Sequence, residues 1–250
     1  MKTLFISDLH LSPDQPELIR LATDFIKNQT EVDAFYILGD IFNTWLGDDL
    51  IPEEFEPFIQ ALQDQQQQGS KIFLMVGNRD FMLGNDFARL VGGTLLADPV
   101  VANLYGHPIL LMHGDSLCTD DVGYQRYRNV VRKRWLQKLF LAMPLSIRQR
   151  ISDKIKAKSK QKKQYKQAQI MDVNPAAVRQ EMKKHKVNLL LHGHTHRPAI
   201  HQLESIQTIP SYRIVLGDWQ PEPSYLEITP EAIRLVDNRL PHGELLLSFT

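Results

Sequence analysis

The segment LLLHGHTHRP, residues 189–198, is an apolar run that ends in His192, His194 and His196 at every second position. In an extended chain, side chains two residues apart point to the same side. His194 and His196 could therefore face one point in space, with only a threonine between them. This spacing suits two ligands of one metal ion, provided that other donors reach the same point.

Four other apolar runs also end in polar residues. They are KTLFI before Ser7–His10, AFYIL before Gly39–Asp40, KIFLMV before Gly77–Asp80 and PILLM before His113–Asp115. Short apolar runs bounded by glycine and polar groups are typical of strands buried on both faces. The segments PELIRLATDFIKN and PEEFEPFIQALQDQQQQG between them have the apolar spacing of amphipathic helices. This alternation predicts a layered α/β fold, with residues 1–250 forming one domain.

Two segments depart from the alternation. The tail segments YRIVLGDW, SYLEIT and AIRLVD are separated by turn residues and predict a strand meander that closes a second sheet. Residues 119–169 (the insertion) instead predict helices. Thr119 or Asp120 would cap a helix that carries apolar residues as far as Leu139, and Pro144 would end it; Asp121 is a further possible cap. A second, basic helical segment with isoleucines four apart follows it.

Composition narrows the class of protein. A hydrophobic content of 43% and a charged content of 23% are ordinary for a globular protein. The single cysteine, Cys118, excludes an intramolecular disulfide framework and a cysteine-cluster zinc site, and it favours a reducing cytosol. The apolar stretch of the N-terminus is too short for a signal peptide, and no run approaches the roughly 20 residues that span a bilayer. We expect a protein of the cytosol or of a membrane surface.

Charge is balanced overall, with 29 basic and 29 acidic residues, but it is unevenly placed. Fifteen lysines or arginines and one acid, Asp153, lie between Arg126 and Lys166. This asymmetry predicts a basic surface with an anionic partner. The apolar residues between Trp135 and Met143 favour an anionic membrane surface or an acyl-chain groove. No groove-reading motif accompanies the charge, so we do not expect nucleic acid as the partner.

The polar residues that follow the predicted strands predict a metal centre, because ligands gather at the carboxyl ends of strands in open α/β folds. The candidate ligands are Asp8, His10, Asp40, Asn78, His113, His194 and His196. Seven ligands are too many for one transition metal and suit two ions that share a bridge. The two sites would be Asp8, His10 and His196, and Asn78, His113 and His194, with Asp40 as the bridging carboxylate. Donors of this kind favour Mn²⁺, which gives two Mn²⁺ ions per chain.

The ordered series D-x-H, GD, GN-x-D, HGD and GHTH resembles the calcineurin-like metallophosphoesterase family over almost the whole chain. The resemblance implies a two-layered αββα sandwich, here with a helical insertion, and a dinuclear metal centre. The segments SDLHL, GDIFNTWLGDD, GNRDF, HGDSLCTDD, IMDVN and HGHTHRP are similar to the branch that acts in lipid A biosynthesis. That branch cleaves the pyrophosphate of UDP-2,3-diacylglucosamine to UMP and 2,3-diacylglucosamine 1-phosphate.

The resemblance also implies roles for individual residues. The implied catalytic residues are Asp40, Asn78, Arg79 and His194, and the implied substrate-binding residues are Asn78, Arg79, Asp121, Ser159, Lys163, Lys166 and His194. It further implies a monomeric hydrolase on the cytoplasmic face of the inner membrane, with the insertion against the lipid.

Arg79 marks a departure from the wider family, in which a histidine often follows the asparagine of the third motif and acts as a general acid. Arginine stays protonated and cannot donate a proton to an alkoxide. It can, however, bind a phosphate and stabilise charge as a P–O bond breaks. A phosphate that leaves from a pyrophosphate needs no proton, since its second pKa is about 6. Arg79 thus favours pyrophosphate cleavage over phosphomonoester hydrolysis.

Two alternatives remain open. The chain could be a generic metal-dependent phosphodiesterase that acts on soluble nucleotides, with the insertion as a lid. It could also be a binding scaffold without catalysis. Scaffolds of this fold usually lack metal ligands, whereas none of the expected ligands is missing here.

Overall fold

A computed structural model describes residues 1–163, 172–206, 208–219 and 222–249. The helices are α1 (Pro16–Lys27), α2 (Glu56–Gln67), α3 (Asn85–Leu90), α4 (Val122–Val131), α5 (Arg134–Leu141), α6 (Leu145–Lys163) and α7 (Pro175–His185). The strands are β1 (Lys2–Ile6), β2 (Val32–Leu38), β3 (Lys71–Met75), β4 (Thr94–Leu95), β5 (Val100–Leu104), β6 (His107–Met112), β7 (Leu189–His192), β8 (Ala199–Ile206), β9 (Ile209–Val215), β10 (Tyr225–Ile228), β11 (Ala232–Val236) and β12 (Glu244–Ser248).

The strands form two sheets. The first has the order β12-β11-β10-β1-β2-β3-β4, and the second has the order β5-β6-β7-β9-β8. Strands β1 to β4 run parallel, as do β6, β7 and β9. The carboxyl ends of the parallel strands carry the polar residues that the sequence singled out.

Alternate side chains of the strands enter different cores. Leu4 and Ile6 of β1 pack with α1, α2 and α3, whereas Phe5 packs in the core between the two sheets. In β7, Leu191 faces the core between the sheets and Leu190 packs with α7. The layers are therefore helix, sheet, sheet and helix, which confirms the predicted αββα sandwich.

The prediction for the tail was partly wrong. Strand β9 joins the second sheet, as predicted, but β10, β11 and β12 extend the first sheet, and β10 pairs antiparallel with β1. Without them, β1 would be an edge strand with unpaired backbone groups. Leu226 and Leu235 place apolar side chains from β10 and β11 in the core between the sheets, so the same pairing also fills that core.

The insertion is helical, as predicted, but its boundaries differ. Asp121, not Thr119 or Asp120, caps α4, because its Oδ1 accepts a hydrogen bond of 3.0 Å from the backbone N of Tyr124. Extended backbone at Lys133 (φ −69°, ψ 120°) separates α4 from α5, so the predicted single helix is two. The assignment of residues 1–250 to one domain stays a prediction.

The insertion is attached to the first sheet by a buried arginine. Arg148 of α6 is 3% exposed, and its guanidinium donates to Leu46 O at 2.7 Å and to both carboxylate oxygens of Asp49. Leu46 and Asp49 lie in the loop that follows β2. The start of α6 is thereby held beside the loop that carries Asp40. No helix in the described ranges combines the length and the apolar character that a bilayer crossing requires.

Candidate metal centre

The ends of β1, β2, β6 and β7 bring carboxylates and imidazoles together. Asp8, His10 and His196 form one group whose ligand atoms lie within 4.8 Å of one another, and Asp8, Asp40 and His113 form a second. The first group matches one predicted site. The two groups share Asp8, whereas the sequence had placed Asp40 at the shared position.

Asp40 belongs to the second group but also faces the first. Its Oδ2 is 3.8 Å from His10 Nδ1, and its Oδ1 is 3.8 Å from His113 Nε2. The carboxylate is 2% exposed, so each oxygen faces a different histidine inside the protein. This orientation suits a carboxylate that contacts two cations.

Backbone and carboxylate contacts orient the histidines. His113 Nδ1 donates to Leu38 O at 2.9 Å, which turns Nε2 towards Asp40. His196 Nδ1 lies 3.4 Å from Asp218 Oδ2, and its Nε2 lies 3.3 Å from both Asp8 Oδ1 and His10 Nε2. Ligand histidines commonly have such a partner on the second ring nitrogen.

Asp218 was missed by the sequence interpretation, although a signal exists. Gly217 and Asp218 follow β9 as Gly39 and Asp40 follow β2. The pattern of an apolar strand followed by Gly-Asp would have identified it.

Asn78 and His194 lie beside the second group. Asn78 Oδ1 is 3.1 Å from His113 Nε2, and the rings of His194 and His113 have centroids 5.1 Å apart. The backbone N of His194 donates to Asp8 Oδ2 at 2.9 Å. All seven candidate ligands therefore adjoin one another, and their role as ligands stays a prediction.

The prediction that His194 and His196 converge because they lie two residues apart in an extended strand was wrong. Strand β7 ends at His192, and both later histidines have left-handed backbones, with φ of 68° and 56°. Asp8, His10 and Asp40 share this conformation, with φ of 55°, 50° and 51°. Residues with a side chain rarely adopt it, and such strain concentrates at functional sites. Tight turns, and not strand alternation, aim these side chains at one point.

The buried carboxylate of Asp80, in the GN-x-D motif, connects the turn after β2 to the turn after β3. It accepts hydrogen bonds from the backbone N of Gly77 at 2.7 Å, of Ile41 at 2.7 Å and of Asp40 at 3.3 Å. Burial and the charge of Asp40 raise the pKa of Asp80 to about 7. The sequence interpretation assigned Asp80 no role, because its partners are backbone groups that leave no pattern in the residue types.

The electrostatics favour cations. Burial alone would lower the pKa of His113, but the carboxylates of Asp40, Asp115 and Asp8 raise it to about 9. Burial lowers the pKa of His10 to about 3. Burial would raise the pKa of Asp8, yet the neighbouring imidazoles hold it well below its usual range. The carboxylates thus stabilise positive charge at His113, whereas burial keeps His10 neutral, as a metal ligand must be, and burial raises the pKa of Asp40.

The residues present fit divalent cations. His10 Nδ1 is buried and makes no hydrogen bond among the described residues. His10 Nε2 and His196 Nε2 face each other at 3.3 Å with Asp8 beside them. Imidazole nitrogens that converge with carboxylates are the donors that Mn²⁺, Fe²⁺, Co²⁺ and Zn²⁺ take, and no thiolate belongs to the groups found among the described residues.

Arg79 lies at the open side of the centre. Its backbone N donates to Asp40 Oδ1 at 2.8 Å, and its Nε lies 4.0 Å from Asp40 Oδ2. Its Nη1 donates to Asn43 Oδ1 at 3.0 Å, and its side chain is 40% exposed. A guanidinium in this position can meet an anion that approaches the centre.

The insertion covers the same side. Arg132 Nη2 donates to Gly77 O at 3.0 Å, and Gln137 Nε2 donates to Phe81 O at 3.3 Å. Burial lowers the pKa of Lys156 of α6, and the charge of Arg79 lowers it further against the carboxylate of Asp153. Lys156 was not among the predicted residues, because its charge alone does not distinguish it from the other lysines of the insertion.

The remaining predicted substrate-binding residues are partly outside the described structure. Asp121 caps α4. Ser159 and Lys163 belong to α6, but their side chains lie outside the described structure, as does the whole of Lys166. Their roles stay predictions.

The family model for calcineurin-like phosphoesterases matches residues 1–198. The chain belongs to the calcineurin-like phosphoesterase family. It is 47% identical over 238 residues to a protein of Serratia proteamaculans named UDP-2,3-diacylglucosamine hydrolase, with 94% of this chain and 98% of that protein covered. It is 46% identical over 237 residues to a protein of that name from Escherichia coli O7:K1, with the same coverage.

Solved structures show the same fold at low identity. Vacuolar protein sorting 29 of Cryptosporidium parvum aligns with a TM-score of 0.51 at 12% identity and covers 100% of this chain and 97% of that one. A Vps29 mutant of Entamoeba histolytica aligns with a TM-score of 0.50 at 15% identity, with both chains fully covered. These likenesses concern the fold alone.

A substitution at Gly77 tests the geometry of the centre. A β-carbon there would overlap the carboxylate and the backbone N of Asp40. Gly77→Ala should therefore displace Asp40 and weaken metal binding by about 10–100-fold, as loss of an outer contact does. Isothermal titration calorimetry with Mn²⁺ measures the metal affinity. In the control Gly123→Ala, the new β-carbon would lie 3.7 Å from Asp121 Oδ1, an ordinary van der Waals distance. Its Mn²⁺ affinity should therefore equal that of the parent. Parental affinity in Gly77→Ala would contradict the geometry.

Proposed function

We propose that the protein hydrolyses the pyrophosphate bond of UDP-2,3-diacylglucosamine to UMP and 2,3-diacylglucosamine 1-phosphate. Relatives 45–47% identical over almost their full length carry the name of this hydrolase. The observation that carries the proposal is the arrangement of charge around the site. Arg79 lies beside the buried carboxylate of Asp40, and Lys156 of the insertion lies close enough to Arg79 to feel its charge, so that two basic side chains suited to a diphosphate lie near the candidate metal centre.

We further propose that the centre holds two Mn²⁺ ions. The ligands would be Asp8, His10, Asp40, Asn78, His113, His194 and His196. When bound, the ions supply positive charge that polarises the phosphoryl oxygens and lowers the pKa of a nearby water.

The residues of the chain position the diphosphate around that centre. Asn78 and His194 lie beside His113 and can donate to non-bridging phosphate oxygens. Arg79 can stabilise the charge that develops on the departing phosphate, which leaves as an anion without a proton. With 2,3-diacylglucosamine 1-phosphate as the leaving group, water adds to the phosphorus nearer uridine.

The bridging role of Asp40 predicts a difference between two matched variants. Asp40 and His10 both have positive φ, so glycine can replace either without new backbone strain. Asp40→Gly should lose both ions, because its two oxygens face both groups, whereas His10→Gly should mainly weaken one site. Elemental analysis of the purified variants after equilibration with Mn²⁺ measures the content. A normal pair of ions in Asp40→Gly would exclude the bridging role of Asp40.

The substrate and the attacked phosphorus can be tested together. Hydrolysis of UDP-2,3-diacylglucosamine in ¹⁸O-labelled water with Mn²⁺ should place the label in UMP and none in the lipid product. Mass spectrometry of both products measures it. Label in the lipid phosphate would mean that water attacks the other phosphorus and that the substrate binds in the opposite orientation. Preferential cleavage of UDP-glucose or a simple diester would instead support the phosphodiesterase alternative.

Arg79→Ala is the matched variant for this assay. It should slow hydrolysis about 10²–10³-fold, which is typical for the loss of one charged contact to a transition state. Its Mn²⁺ content should stay at the parental value, because the side chain removed is not a proposed ligand.

We also propose that the insertion contacts the acyl chains and rests on an anionic membrane on the cytoplasmic side. Trp135 is 64% exposed, Leu139 54% and Val130 50%, which is unusual for large apolar side chains. The exposed cations Lys133 and Arg134 lie among them. Apolar side chains beside cations suit the boundary between headgroups and acyl chains.

Vesicle binding tests this role. Replacing Lys133, Arg134 and Lys138 by glutamine should lower partition onto anionic vesicles by about two orders of magnitude, at about 1 kcal/mol per basic residue. The control replaces Arg20, Lys27 and Lys183, exposed cations of α1 and α7, and changes the charge equally. Sedimentation with phosphatidylglycerol vesicles measures both. Equal loss in the two variants would show that only net charge matters.

A further inference from the structure

A buried carboxylate next to the metal centre connects it to the insertion. Asp115 follows His113 by two residues and is 0% exposed. Its Oδ2 accepts three hydrogen bonds from the insertion: from Tyr124 Oη at 2.5 Å, from Arg128 Nε at 2.8 Å and from Arg132 Nη2 at 3.4 Å. The centre itself does not use this carboxylate, since Asp115 belongs to neither group of converging ligands among the described residues.

The three donors share one face of α4. Tyr124, Arg128 and Arg132 are spaced four residues apart, so they lie one above another along the helix and its last turn. Three donors on one buried carboxylate fix the rotation of the helix about its axis as well as its height. One contact alone could be kept while the helix turned or slid.

The same face reaches the metal centre at other points. Gln125 Nε2 donates to Asp115 O at 2.8 Å, and Arg132 Nη2 donates to Gly77 O next to Asn78. Arg128 Nη2 also donates to Asp98 Oδ2 at 3.3 Å. The ring of Tyr124 lies near that of His194, with centroids 6.3 Å apart. A shift of α4 would therefore move groups that adjoin two candidate ligands.

We propose that Asp115 is a positioning residue that locks α4 over the metal centre and so sets where the insertion presents the lipid part of the substrate. The inference rests on the proposed function for the identity of that substrate. The locking itself rests on the contacts of Asp115. Apolar packing cannot supply it, because α4 and α5 contain no buried residue.

Kinetics test the role of Asp115. Asp115→Asn keeps the shape but removes the charge that Arg128 meets, and kcat/KM for UDP-2,3-diacylglucosamine should fall about 10–100-fold, as expected for a hydrogen bond to a charged group. The fall should lie mainly in KM, and Mn²⁺ affinity should change less than in Gly77→Ala, because Asp115 belongs to neither group of converging ligands. Asn129→Ala, an exposed position of α4, is the control and should keep parental values.

A double-mutant cycle separates positioning from a general structural effect. Arg128→Met should lower kcat/KM to a similar degree, and Asp115→Asn combined with Arg128→Met should be no worse than the single variants. Multiplied losses in the double variant would mean that the two residues act independently, and this would overturn the proposal.

A measurement of the distance between α4 and α1 tests the locking role of Asp115 in the absence of substrate. Val130→Cys on α4 and Arg20→Cys on α1 place nitroxide labels on two exposed positions. The native Cys118 is 2% exposed, and burial raises the pKa of its thiol to about 12, so it should not react. Pulsed electron paramagnetic resonance should give a narrow distribution of distances between the two labels in the otherwise parental protein, and a broad distribution when Asp115→Asn is added.

An unchanged distribution in Asp115→Asn would refute the locking role. If the parent did not hydrolyse the lipid nucleotide but the distribution still broadened, the proposed substrate would be wrong and the locking role would stand. The two failures are therefore distinguishable.

Discussion

The geometry of the candidate centre depends on the buried carboxylate of Asp80, which is not one of the seven expected ligands. Asp80 accepts backbone hydrogen bonds from the turns that follow β2 and β3, and it thereby holds Asp40 in a left-handed conformation and Gly77 against it. Without these contacts, the turn after β2 would relax to the favoured side of the φ/ψ map and the Asp40 carboxylate would point elsewhere. The parallel pairing of β2 with β3 brings the two turns together, and Asp80 fixes their relative position.

Much of this could be predicted from the sequence, because strand ends leave a visible pattern. Apolar runs followed by Ser-Asp-Leu-His, Gly-Asp, Gly-Asn or His-Gly indicated the seven candidate ligands, since carboxyl ends of parallel strands share an edge. The conformation of those ends could not be predicted. His194 and His196 converge through left-handed turns after β7, and a spacing of two residues does not distinguish such turns from a strand. The sheet that β10 joins was missed for a similar reason. Alternation shows which face of a strand is apolar, but it does not show which sheet the strand joins.

The insertion shows the limit of charge as a guide. Its basic composition predicted an anionic partner outside the protein, yet Arg128, Arg132 and Arg148 point inward to Asp115 and Asp49. Residue type cannot separate a cation that ties a helix to the core from one that faces solvent. Only the position of the acidic partners, far away in the chain, makes the difference. The remaining exposed cations surround apolar side chains, so one segment combines internal attachment with an external surface.

The left-handed backbone at five candidate ligands has an evolutionary consequence. Each such residue destabilises the folded chain, and metal bound at the proposed centre would offset that strain. A descendant that no longer bound metal would keep the strain without the compensation. Drift at positions 8, 10, 40, 194 and 196 should then favour glycine and asparagine, which adopt this conformation most easily. The residue types found at these five positions would thus record whether a lineage has kept its chemistry.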